Sequence, residues 1–545
     1  MIERNFVDNI QNALREHWDR PCFSNFEEDT YSYKEIAASI LAFHEVYKKS
    51  GLKKGDKVAV CGKNSVNWVK VYLATVTYGA VIVPVMPDFN AEDITNIINH
   101  SDSKFFFAPE SMWKDLDFEK LSGLMAGLEV DSYKLLHKRG DIAQTLIEDG
   151  KKDLAARLKS ELKPEDITFD KVDNAELAAI LYTSGTTGFS KGVMLNHNCL
   201  IANVDYAQKS IGLKAGDPIV SFLPVAHCFG GAFEFLFPFL TGCHISFLSK
   251  RVAPQIIMKA FQTIHPRLIL SVPLVIEKVY HKQLKPILNK WFANIPGIKQ
   301  ILGKIMCKKL TESFGGNFIA IVIGGAAFNP EVEAFLKRVG FRFTVGYGMT
   351  ECGPLISYSP WDQYRGGSAG KLMFHLEGKI DSPDPQNELG EIMVKGENVM
   401  LGYYKNEEAT REVLSEDGWL RTGDMGVMDA DQHIYIKGRC KNMLLSPAGQ
   451  NIYPEELEAK LNNYGIITEA LVLDREHKVV GLVYLDQEYI KEKGLDEAGI
   501  KAELEEVRKD INRILPSYSQ ILYLEPHAEE FIKTPTMKIR RFNYK

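Results

Sequence analysis

Twelve residues constrain this chain more than any others: Leu181-Tyr182-Thr183-Ser184-Gly185-Thr186-Thr187-Gly188-Phe189-Ser190-Lys191-Gly192. An apolar run from Leu177 to Tyr182 enters the stretch, and Val193-Met194-Leu195 leaves it. Glycines here let backbone N–H groups converge on an anion, hydroxyls add donors, and the single lysine adds a charge. A phosphate-cradling turn between two apolar segments is therefore expected. It is not a Walker A loop, which needs Lys followed by Ser or Thr, because Lys191 precedes Gly192. The plain alternative is a flexible Ser/Thr/Gly linker, and a lone lysine at the exit between apolar segments argues against it.

Around this stretch the chain alternates helical and strand-like segments. Tyr33–Lys48 and Val66–Tyr78 carry helical spacing, while Lys57–Cys61 and the buried run 79–85 read as strands, so an α/β fold with parallel strands is expected. Residues 267–276 read as another buried strand, 319–325 and 341–345 as strands, and Glu148–Lys171 as a surface helix and connector. From Gly390 the texture changes to short β-like runs, including Gly402-Tyr403-Tyr404. At 545 residues the chain exceeds one ordinary core. A net charge of −6 gives no sign of nucleic acid as a partner. Eight scattered cysteines without CxxC spacing read as reduced thiols. With no signal-peptide core and no long apolar span, a soluble cytoplasmic protein is expected.

Five further stretches stand out. Ser221–Gly231 places His227 beside an apolar segment; alone, such a histidine is more often structural than catalytic. Behind it Phe229, Phe233, Phe235, Leu236, Phe237, Phe239 and Leu240 supply core, with some available to wall an apolar channel. Gly346-Tyr347-Gly348-Met349-Thr350-Glu351 follows a strand; the alternative is a tight turn with a surface acid. Trp419–Asp424, then His433–Asn442, then Lys533–Arg541 complete the set; a basic tail without a partner is the alternative for the last.

The order and wording of these stretches resemble the adenylate-forming (AMP-binding) superfamily: acyl-CoA synthetases, luciferases and adenylation domains. The ending Thr534-Pro535-Thr536-Met537-Lys538 looks most like long-chain fatty acyl-CoA synthetases. Ser190 stands where the family usually has proline, and Met537 where many members have glycine. The resemblance implies a large N-terminal domain (residues 1–438) of layered α/β subdomains plus a β-rich subdomain. A hinge follows at 439–441, centred on Lys441, and then a small mobile α+β lid (442–545).

It also implies residue roles. Thr183, Ser184, Gly185, Thr186, Thr187, Gly188 and Lys191 would hold phosphates, the segment with Gly325, Ala326 and Ala327 would sandwich the adenine with Tyr347, and Gly346, Gly348 and Met349 would also belong to the nucleotide site. His227 would line the carboxylate end of the acyl pocket. Thr350 would meet the α-phosphate, and Ser184 and Glu351 would bind magnesium, a hard cation that takes oxygen ligands and shares them with phosphates. Asp424 and Arg439 would hold the ribose and Ile436 the base. Gly449 would border the CoA pantetheine tunnel, and Lys538, with Lys533 in reserve, would reach the reacting phosphate. ATP, Mg2+ and CoA are the implied cofactors, and a medium- or long-chain fatty acid the implied substrate. An aromatic acid, a carrier-protein acceptor and a non-catalytic nucleotide or acyl sensor are the alternatives. The lysines between 278 and 309 are read as a solvated face, with an anionic membrane or a CoA phosphate as the other reading.

Overall fold

The computed structural model describes residues 2–140, 162–183, 190–250, 253–288, 298–446, 449–476, 478–533 and 539–544. Five parallel strands form its largest sheet, in the spatial order Ala126–Glu129, Ser103–Ala108, Lys57–Cys61, Val81–Val85 and Leu177–Thr183. Antiparallel strands close both edges: Leu135–Lys138 on one side, Lys191–Asn196 and then Gly402–Tyr403 on the other. Runs such as Val81-Ile82-Val83-Pro84-Val85 are buried throughout, as strands covered on both faces require. Helix Val66–Tyr78, at its expected residues, packs on two of these strands. Ser65 caps its first turn by accepting from the Trp68 N–H, and Gly79, at φ 80°, ends it in a left-handed conformation that glycine adopts without strain.

The glycine-rich stretch thus joins two antiparallel strands, Leu177–Thr183 and Lys191–Asn196, with Thr183 opposite Lys191. Residues 184–189, which hold Ser184, Gly185, Thr186, Thr187 and Gly188, lie outside the described residues, as does most of the helix expected over Glu148–Lys171. A second parallel sheet stacks Ile269–Ser271, Ile321–Ile323 and Phe343–Val345. The strand expected over 267–276 is thereby cut short, because Pro273 opens a helix, its fixed φ and missing N–H suiting the first helical position.

The β-rich expectation after Gly390 is met by an antiparallel sheet of Leu376–Asp381, Gly390–Gly396, Leu420–Met428 and Ile434–Arg439. Residues 452–521 bury an apolar cluster of their own, with Leu461, Val483 and Ile511 fully enclosed. Polar contacts are among those that join this C-terminal part to the rest. Asn329 Nδ2 donates to Asn463 Oδ1 at 2.7 Å, Lys285 Nζ to Asn463 O at 2.9 Å, and Lys282 Nζ pairs with Glu488 at 2.8 Å. Lys282 and Lys285, read from the sequence as solvated, therefore face the C-terminal part, whereas Lys304 and Lys309 are exposed. Among the described residues no helix is long and apolar enough to cross a membrane.

Candidate functional site

The hairpin Leu420–Met428/Ile434–Arg439 explains the spacing of Asp424 and Arg439. Its register sets them directly opposite, so their side chains share a face, and Arg439 Nε lies 3.0 Å from Asp424 Oδ1. Past an irregularity at Met425/Gly426, Ile436 lies opposite Gly426. Asp424 is 4% exposed, and its other oxygen accepts the Tyr347 hydroxyl at 2.7 Å. The Asp424 carboxylate, with Tyr347 and Glu351 behind it, holds the Arg439 guanidinium above its ordinary pKa. Burial and Asp424 push the Tyr347 phenol well up, so it remains a donor.

Gly346 and Gly324 form the adjoining ledge, each at the end of a parallel strand, where ligands of such sheets collect. Gly346 N–H donates to Ile323 O at 2.9 Å, and a Cβ on Gly324 would come within 3.2 Å of the Phe229 ring and 3.4 Å of Gly346 O. Gly325 follows at φ +89°, and it, Ala326 and Ala327 are exposed, forming a backbone surface that larger residues would fill. Gly348 is as constrained: a Cβ there would meet Pro354 O at 2.1 Å. Met349 N–H in turn donates to Pro354 O at 2.9 Å.

His227 caps a short helical turn, its Nδ1 accepting from Phe229 N–H at 3.3 Å, which leaves the proton on Nε2. Its neighbour Cys228 brings Sγ to 3.5 Å from Thr350 Oγ1, tying this loop to the Gly346–Glu351 loop. The turn continues into π-helix over Gly231–Leu236, an uncommon geometry that recurs at functional sites. Glu234 within it is 1% exposed and accepts Phe222 and Leu223 N–H, each at 2.9 Å, which fixes the chain just before His227. Burial holds its carboxyl well above the usual range.

Two of the phenylalanines behind His227, Phe235 and Phe239, belong to the core. Phe235 packs on Tyr72, and Phe239 stacks on Phe23 and Tyr33, all in the core. The cavity behind His227 and Cys228 is lined instead by Tyr72, Leu181, Leu195, Leu200, Ala232 and Leu236, and it is closed down to about 20 Å3. That holds about one water, so a larger apolar group enters only as these side chains move.

Lys191 begins its strand with Nζ 4.7 Å from the centre of the Tyr403 ring. The Tyr403 hydroxyl donates to Glu351 Oε1 at 2.8 Å. Glu351 and Thr350 offer oxygen donors only, and among the described residues no three His, Cys, Asp or Glu side chains group as a metal cage. Such a set fits a hard cation that keeps water and shares phosphate oxygens, as magnesium does. In the C-terminal part, Lys441 is exposed within the turn Cys440–Asn442, and Gly449, at φ +78°, sits in an open hairpin loop. Lys538 lies outside the described residues; Lys533, its reserve, is 10% exposed and bound to Glu469 at 2.6 Å. Lys533 therefore anchors its segment.

Cys228, Glu234 and Tyr403 escaped the sequence reading. Glu234 alone left a signal, as a carboxylate inside an apolar run.

A family model described as AMP-binding enzyme matches residues 10–404. The chloroplastic long-chain-fatty-acid–[acyl-carrier-protein] ligase AEE15 of Arabidopsis thaliana is 27% identical over 601 residues, spanning 94% of this chain and 80% of its own. The long-chain-fatty-acid–CoA ligase of Salmonella typhimurium is 27% identical over 485 residues, spanning 84% and 80%. Among solved structures, the anthranilate CoA ligase AuaEII with anthranoyl-AMP superposes with a TM-score of 0.80 at 18% identity, over 99% of this chain and 96% of that one.

Proposed function

This chain belongs to the AMP-binding enzymes, the adenylate-forming superfamily, and from that premise we propose that it joins a medium- or long-chain fatty acid to CoA through an acyl adenylate. The observation that carries the reading is the Tyr347–Asp424–Arg439 cluster: a buried carboxylate that acts as acceptor, with a phenol and a guanidinium fixed around it. That arrangement suits a ribose, whose two hydroxyls donate to an ionised carboxylate. The names of two relatives, both long-chain fatty acid ligases, support the fatty acid.

In the first half-reaction the substrate carboxylate attacks the α-phosphorus of ATP. A new P–O bond forms as the bond to the bridging oxygen of pyrophosphate breaks. The Gly324–Ala327 ledge and Tyr347 hold the adenine, and Asp424 and Arg439 hold the ribose. Thr350 meets the α-phosphate, and Lys191 neutralises the phosphates together with the loop residues Thr183 to Gly188. Glu351 and Ser184 would hold magnesium, which would add neutralisation of phosphate charge. His227 borders the carboxylate end of the acyl pocket. Lys538 neutralises charge on the reacting phosphate, so the protein positions and stabilises rather than reacting covalently. In the second half-reaction a thiolate attacks the acyl carbon, the thioester forms, and AMP leaves. Residues 442–545 rotate about Lys441 between the two, bringing Gly449 to the pantetheine path.

The relative named as an acyl-carrier-protein ligase favours a second reading, in which the thiol belongs to a carrier protein. The deciding experiment is pyrophosphate release with ATP and magnesium across acids from acetate to oleate and several aromatics, with and without CoA. Release with long chains, accelerated by CoA, is expected. Release indifferent to CoA would transfer the acceptor role to a carrier protein. A preference for aromatic acids would overturn the fatty acid.

Lys441→Pro is expected to spare pyrophosphate release and slow thioester formation about 100-fold. Proline fixes its own φ, and so opposes a rotation that changes the backbone at this residue. Unchanged turnover would put the pivot elsewhere.

A further inference from the structure

We propose that Tyr403 is the residue that positions Glu351 and Lys191 relative to one another, fixing both charges before phosphate arrives. The inference rests on the reading of Glu351 as the magnesium acid and Lys191 as a phosphate contact.

Three sets of contacts hold Tyr403 in place. Its two-residue strand pairs with the strand leaving the glycine-rich stretch, Tyr403 opposite Val193 and Gly402 opposite Met194, and Tyr404 N–H donates to Gly192 O at 2.7 Å. Its own N–H donates to Thr410 Oγ1 at 2.9 Å. Gly402 makes the approach possible: at φ +134° it adopts a backbone closed to other residues, and a Cβ there would lie 2.8 Å from Thr410 Cγ2. The ring is 7% exposed, so it has little room to turn.

From that position Tyr403 acts on two groups at once. Its hydroxyl donates to Glu351 Oε1 at 2.8 Å, and Met400 N–H donates to the Glu351 carbonyl at 2.8 Å, so one short segment holds that residue by side chain and backbone. With Oε1 engaged, carboxylate rotation is restrained and the second oxygen is left for a cation. The ring face lies 4.7 Å from Lys191 Nζ, which restrains a side chain that otherwise carries large rotamer freedom.

The test is calorimetric binding of α,β-methylene ATP to the full chain, in EDTA and in excess magnesium. Magnesium is expected to tighten wild-type binding, and Glu351→Gln to abolish that gain. Tyr403→Phe, which keeps the ring and loses the donor, should cut the gain about 10-fold while leaving affinity in EDTA unchanged. Tyr403→Leu should also weaken binding in EDTA about 5-fold, through the freed lysine. If Glu351→Gln keeps the full magnesium gain, the assignment of the magnesium acid is wrong. If Glu351→Gln loses the gain and Tyr403→Phe retains it, the role of Tyr403 is overturned. Tyr403→Phe keeps the ring and removes a single oxygen, so the result does not depend on whether Tyr403→Leu folds.

Discussion

Lys538→Ala is expected to lower adenylate formation about 1,000-fold and to leave thioester formation from supplied acyl adenylate and CoA within about 3-fold of wild type, because a cation aimed at developing phosphate charge acts only in the first half-reaction. Lys533→Ala should behave in the opposite way. Lys533 holds Glu469 and Glu530, and both it and Glu469 are 10% exposed, so its loss strands a largely buried carboxylate. Breaking such a pair costs roughly 3 kcal/mol, read as a lower unfolding temperature with adenylation intact at low temperature. Two fixed points bracket the segment between these lysines. Lys533 bridges Ile539 through the backbone, and Arg541 binds Glu458 and donates to Val472 O at 3.2 Å. ATP–pyrophosphate exchange and thioester formation, measured separately on both variants, decide the matter. Equal loss of both half-reactions in Lys538→Ala would remove it from this role.

Two of the landmarks legible in the sequence combine a strand signal with a turn signal, and the structure brings their strand ends together through the Tyr347–Asp424 hydrogen bond. Gly324 and Gly346 end neighbouring parallel strands, and Asp424 and Arg439 face one another because a hairpin connects them. Other features depend on information no local pattern holds. Apolar residues on both sides of the glycine-rich stretch suit parallel and antiparallel strands alike; its antiparallel pairing follows from which neighbours the sheet offers, Val81–Val85 on one side and Gly402–Tyr403 on the other. The phenylalanines after Cys228 were legible as buried, but the π-helical turn at Gly231–Leu236 alters the helical period and decides which of them face the cavity. Leu236 and Ala232 line it, and Phe235 and Phe239 do not. Lys533 stood in reserve to Lys538 because its partner Glu469 is 64 residues away in the sequence, so nothing local showed that it was engaged. Tyr403 carried no signal at all, since its importance comes from Glu351 and Lys191, which only the folded chain brings to it.

Asp424→Ala should raise the KM for ATP about 100-fold with little change in the KM for the acid. Two charge-assisted hydrogen bonds to a ribose are worth about 3 kcal/mol together, which is the size of that change. Asp424 is suited to the task because the protein uses only part of its accepting capacity. Tyr347 takes a place on Oδ2 and Arg439 one on Oδ1, and an ionised carboxylate has about four lone-pair sites. The alanine variant also strands the buried Tyr347 hydroxyl, which costs about 1–3 kcal/mol of stability and lowers the unfolding temperature. Asp424→Asn distinguishes the two effects. It keeps an acceptor for Tyr347 and loses the charge, so stability should recover while the KM for ATP stays raised about 10-fold. Tyr347→Phe should move the KM for ATP least of the three, because the ring that would face the adenine remains. A fall in stability for Asp424→Ala with an unchanged KM for ATP would make the cluster a structural brace between the Gly346–Glu351 loop and the Leu420–Met428 strand. The ribose would then have to be held elsewhere.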